Sequence, residues 1–147
     1  MGDMILVSNE TLDDLFNRKL IKLKTCKEIT KSYIISVLKK YITNKNYFNN
    51  QTIGIEYLQA QLNTDFAKFQ NIGDWIFFIQ SNYPDFFEKS STSYYTSLGQ
   101  SSYYKCYKIL NKQWVLFEEL ADNFKEYSKN IHEVKLNIEV INKTDQV

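Results

Sequence analysis

Five residues in succession, Trp75, Ile76, Phe77, Phe78 and Ile79, run without a polar break. On a helix of 3.6 residues per turn they face every direction, so other elements must cover that helix on most sides. Pro84, the one proline in the chain, follows closely. It cannot continue a helix, and it drives Tyr83 out of the α region. Asp74 precedes the run as an N-cap, since its carboxylate can accept from the free N–H groups of a first turn. Gly73 is read as the break before it, and Phe86 and Phe87 as an aromatic turn after it. A buried strand is the competing reading of so short an apolar run. The helical patterns on both sides favour a short, buried, central helix.

Those patterns are spaced for helix packing. Leu12, Leu15, Phe16, Leu20 and Leu23 recur at helical intervals behind a cap at Ser8 or Asn9. Ile34, Val37, Leu38, Tyr41 and Ile42 form a stripe at i, i+3, i+4, i+7 and i+8 in a second helix over 27–42. Residues 43–52 are rich in asparagine and read as a loop. Ile55, Leu58, Leu62, Phe66 and Phe69 are the stripe of a third helix running to about Gln70. After the central helix, Ser90 to Ser93 make a polar linker able to cap a helix over 94–111. There Gly99 and Ser102 lie mid-stripe. Glycine costs roughly 1 kcal/mol in a helix interior, so a neighbour's close approach is expected, with Trp75 or Phe78 filling the notch. In the last helix Phe117, Leu120, Ala121, Phe124 and Ile131 make the buried side, and Glu118, Glu119, Asp122 and Glu126 the wet one. Residues 133–140 alternate like a strand, yet Ile131, Val134, Ile138 and Ile141 also continue a helix.

A chain of 147 residues is long enough for one sizeable core. The expected fold is all-α, a single compact bundle of five or six helices around the short central one. It spans 1–147, with 1–10 and 134–147 as arms, extended or mobile. The start, M-G-D-M-I-L-V, lacks the basic region of a secretory signal, and Leu6 stands where a myristoylation motif needs Ser or Thr. No stretch approaches the roughly 20 apolar residues that span a bilayer. These features point to a cytoplasmic protein with no membrane association.

Three segments carry a resemblance. They are G-D-W-I-F-F-I-Q-S-N-Y-P at 73–84, Y-Y-T-S-L-G-Q-S-S-Y-Y at 94–104 and F-E-E-L-A-D-N-F at 117–124. In order and spacing they resemble a family of uncharacterised all-helical bacterial proteins, over about residues 73–127. The resemblance implies a helical fold. It brings no activity, cofactor or site residue with it.

Motifs of chemistry are sparse. There is no Gly-rich phosphate loop, no H-E-x-x-H, no G-x-S-x-G and no metal-spaced Cys/His set, so no cofactor or metal is expected and an enzyme is disfavoured. His132 is the only histidine, and Cys26 and Cys106 read as small buried hydrophobes rather than a disulfide framework. Glu118, Glu119 and Asp122 read as a solvated face.

Two constellations suggest function. Tyr94, Tyr95, Gly99, Tyr103, Tyr104 and Tyr107 gather on one helix, as a packed core stripe or as the aromatic surface of an interaction protein. A protein partner or self-association is the leading reading, and a small-molecule-binding bundle or enzyme with a tyrosine-lined pocket an alternative. Between Arg18 and Lys45 there are nine basic residues and one acid, against a whole-chain net charge of +1. Within that segment Lys22, Lys24, Lys27, Lys39 and Lys40 are candidate anion contacts. With the interleaved Tyr and Lys of 103–108 they make nucleic-acid binding a further alternative. The bland reading is that this segment packs beside the acidic helices.

Overall fold

A computed structural model describes residues 9–43 and 52–134. Among these there are seven α-helices: α1 (Asn9–Lys19), α2 (Glu28–Thr43), α3 (Ile53–Asn63), α4 (Phe66–Asn82), α5 (Thr92–Ile109), α6 (Val115–Asp122) and α7 (Phe124–Glu133). Two 3-10 turns, Pro84–Phe86 and Lys89–Ser91, link α4 to α5. The described residues hold no strand, and the all-α class expected from the sequence is what the chain adopts. Most of both arms, the asparagine-rich loop and the alternating pattern of 133–140 lie outside the described residues.

The bundle is built around α4. Residues 72–81 are buried without interruption, and no member of the Trp75–Ile79 run is more than 2 % exposed. Helices α5, α7, α3 and α2 supply the cover that an all-round apolar helix demands, α5 most extensively. Each fully buried large side chain favours folding by about 1.5–3 kcal/mol, which makes this helix the energetic centre of the fold. Beyond Pro84 the ring of Trp75 meets Phe86 and Phe87 edge-on, at centroid distances of 5.9 and 5.8 Å, so the expected aromatic turn closes the end of the core.

Helix boundaries differ from the sequence reading in three places. Helix α1 stops at Lys19, so Leu20 and Leu23 of the expected stripe are buried from the connection that follows it. The break before the central helix falls at Thr64–Asp65, not at Gly73. Thr64 takes a left-handed conformation (φ 50°), and the Asp65 side chain accepts from the Lys68 N–H at 3.1 Å as the N-cap of α4. Asp74 is therefore an interior helical residue and no cap. The break also redirects the third helix. A single helix over 55–70 would align Ile55, Leu58 and Leu62 with Phe69; instead α3 buries Ile53, Tyr57 and Ala60, and turns Ile55, Leu58 and Leu62 outward. Finally, the last helix divides at Asn123 into α6 and α7, which raises the count above five or six. Its buried side is nonetheless Phe117, Leu120, Ala121, Phe124 and Ile131 as expected. Ser91, at the N-cap position of α5, makes no side-chain cap bond.

Both interior glycines admit a close aromatic neighbour. A Cβ on Gly73 would stand 2.8 Å from the Tyr103 ring, and one on Gly99 2.5 Å from the Phe124 ring. The notch expected at Gly99 exists, but α7 fills it rather than Trp75 or Phe78 of α4.

Candidate functional site

The tyrosine helix α5 divides its rings between core and surface. Gly99 and Tyr103 belong to the core, and Tyr103 is fully buried. Its hydroxyl donates to Asp74 Oδ1 at 2.7 Å, and the Tyr33 hydroxyl of α2 donates to the same oxygen at 2.7 Å. Gln70 Nε2 in turn donates to the Tyr33 oxygen at 3.0 Å. Burial pushes the Asp74 carboxyl up to about 6, while the two phenol bonds and the charge of Lys40 pull the other way. Burial first, and then the charge of this carboxylate, holds both phenols far above their ordinary range. A lone carboxylate beside an all-round apolar run has to be buried, and a buried carboxylate has to find donors. That reasoning is available from the sequence, but the N-cap assignment of Asp74 hides it.

Tyr94 and Tyr95 sit at the other end of α5. Tyr95 stacks on Phe87 at 4.1 Å, and Tyr94, 53 % exposed, meets Tyr95 edge-on. They face α3 across an open groove of about 680 Å³, whose walls also include Gly54, Ile55, Tyr57 and Leu58. No charged residue among the described ones lines it. The Tyr57 and Ser101 hydroxyls are hydrogen-bonded to each other and tie α3 to α5. Beside the groove, α3 presents Ile55, Leu58 and Leu62 at i, i+3 and i+7, with exposures of 56, 58 and 85 %. Glu56 on the same helix is paired with Lys68 at 2.9 Å. The sequence assigned these three aliphatics to the core, so their value as surface was missed.

Tyr104 and Tyr107 form a third group. Their rings stack at 6.1 Å, and Lys108 Nζ lies 4.9 Å from the Tyr104 ring centre. The six candidate residues of α5 thus do not make one surface.

The candidate lysines also separate. Lys22, Lys24 and Lys27 lie on the α1–α2 connection, and Lys39 and Lys40 near the far end of α2. Thirteen helical residues put Lys27 and Lys40 about 20 Å apart. Lys22 pairs with Glu133 at 3.3 Å and Lys39 with Asp13 at 2.9 Å; Lys40 bonds Asn71 at 3.1 Å and lies over the Tyr41 ring. Lys24 and Lys27 are exposed.

Glu119, expected on a wet face, is instead half-buried against the start of α2. It accepts from Thr30 Oγ1 at 2.6 Å, from the Lys27 backbone N–H at 3.1 Å and from the Tyr127 hydroxyl at 2.7 Å. These donors outweigh its burial and lower its pKa. The same neighbourhood raises the buried Cys26 thiol to about 12, chiefly by desolvation and then by the Glu119 charge. Cys106 is likewise a buried free thiol.

A second cleft, of about 310 Å³, opens where α2, the start of α4 and the start of α6 meet. Tyr33, Phe66, Gln70, Trp114 and Phe117 line it, with Leu110 and Leu116 at its edges. Among the described residues no three His, Cys, Asp or Glu side chains are grouped to hold a metal, and no helix is long and apolar enough to cross a membrane. No protein-family model matches the chain, and neither a curated protein nor a solved structure matches it.

Proposed function

We propose that this chain is an interaction protein that pairs with a second copy of itself through the outer face of α3. The observation that supports the reading is the stripe of Ile55, Leu58 and Leu62, left outward by the Thr64–Asp65 break. Isolated exposed aliphatics are ordinary, but three on one helical face, beside a groove whose described lining is uncharged, suit an interaction surface. Self-pairing follows from complementarity within the patch. A two-fold interface needs one patch that fits itself. Here the exposed Leu62 projects beside a groove lined by Gly54, Ile55, Leu58, Tyr94 and Tyr95. Leu62 of each protomer would enter the groove of the other. The rim charge of Glu56 is already met by Lys68, so two copies would not bring unpaired like charges together.

The aromatic helix remains part of this surface, but through Tyr94 and Tyr95 rather than through its whole length. The test is the native mass of the purified protein beside that of Leu62→Lys. A dimer that the substitution dissociates supports the proposal. A monomeric parent, or a dimer indifferent to the substitution, removes it.

A further inference from the structure

The second cleft carries chemistry that the α3 surface does not use. Four aromatic side chains, Tyr33, Phe66, Trp114 and Phe117, come from three helices and one linker to line a single small space. Phe117 fixes the arrangement, meeting Tyr33 edge-on at 5.5 Å and Phe66 at 5.7 Å. Trp114 is 55 % exposed although it lines a concave site. The Tyr33 hydroxyl donates to the buried Asp74 carboxylate, 2.7 Å away. Among the described residues no Lys, Arg or His is in ion-pair contact with Asp74, and the charge of Lys40 acts on it only from beyond contact distance.

We propose that this cleft binds a small organic monocation, a quaternary or alkylated ammonium group, surrounded by the four rings, with the Asp74 carboxylate one hydrogen bond behind Tyr33. Aromatic faces attract such cations, and clusters of rings are the usual means of recognising them. A phenol that donates to a carboxylate is itself made more electron-rich, so Tyr33 relays the Asp74 charge to the cleft. The volume, about 310 Å³, suits a group of trimethylammonium size with a short tail. Anions are disfavoured by Asp74. A bare metal ion would need several oxygen ligands, and among the described lining residues the side-chain oxygens are those of Tyr33 and Gln70. This site is separate from the α3 face, so either proposal can fail without the other.

The experiment uses choline chloride and its neutral isostere 3,3-dimethyl-1-butanol, with sodium chloride matched throughout. Tryptophan emission reports binding, because Trp114 lies in the cleft while Trp75 is buried elsewhere. Calorimetry gives the affinity. Choline is expected to saturate the signal and to bind about tenfold more tightly than the isostere. Trp114→Ala, at an exposed position, should weaken choline binding at least severalfold without loss of helicity. Asp74→Asn should weaken choline and leave the isostere unchanged. Equal affinity for choline and the isostere would overturn the proposal, as would no choline response up to about 100 mM, weaker than any useful affinity. A calorimetric choline affinity that survives Trp114→Ala unchanged would also overturn it.

Discussion

Asp74→Asn removes a charge from the centre of the fold while keeping the shape of the side chain and an oxygen able to accept from Tyr33 and Tyr103. The wild-type carboxyl titrates near 6 in the folded state against 3.8 in its absence. The folded protein therefore binds this proton more tightly than the unfolded chain does. Between these two values the folded state holds more protons, so stability falls as pH rises through the window and is level above it. A shift of about two units corresponds to about 3 kcal/mol, most of it lying between pH 4 and pH 7.5. Asn has no such window. Urea titrations of both proteins at the two pH values give four stabilities, and their double difference cancels every other titrating group. The variant should gain about 2–3 kcal/mol on the wild type between the lower and the higher pH, a relative shift of about 1 M in the urea midpoint. An equal stability difference at both pH values, or one that moves against the variant as pH rises, would refute the picture of a charge confined by burial.

Two further predictions concern packing and backbone. Gly99→Ala, which would ordinarily stabilise a helix interior by nearly 1 kcal/mol, should here destabilise by about 1–3 kcal/mol, because the new methyl group meets the Phe124 ring at 2.5 Å; a stabilising result in thermal or urea unfolding would show that α7 does not pack there. Thr64→Gly should stabilise by about 1 kcal/mol, since a β-branched residue at φ 50° is strained and glycine is not; a loss of stability would place the α3–α4 break elsewhere.

The all-α class and the core positions were legible in the sequence wherever one helix met one neighbour. Leu12, Leu15 and Phe16 on α1, the α2 stripe, the buried side of α6 and α7, and the all-round burial of Trp75 to Ile79 follow from 3.6-residue spacing. The α3 face was not legible, because that helix carries two apolar stripes, 53-57-60 and 55-58-62. Which one turns inward depends on a left-handed threonine that spacing does not register. Glu119 was misplaced for a related reason: it satisfies donors of α2, a helix some ninety residues earlier in sequence. Periodicity reports which side of a helix is polar, and it is silent on whether that polar side finds a partner. The cleft at Trp114 assembles residues from widely separated segments, so only tertiary packing reveals it. The tyrosine pattern on α5 was visible, but its division into core, groove and a separate stacked pair was set by the neighbours of each ring.

Native mass, by size exclusion with light scattering, is the most direct measurement of the proposed self-association. The wild-type protein should run as twice its 17.5 kDa chain mass at micromolar concentration, and Leu62→Lys as a single chain with unchanged helicity. A wild-type protein that stays at one chain mass as concentration rises would contradict the account, and so would a Leu62→Lys protein that remains a dimer.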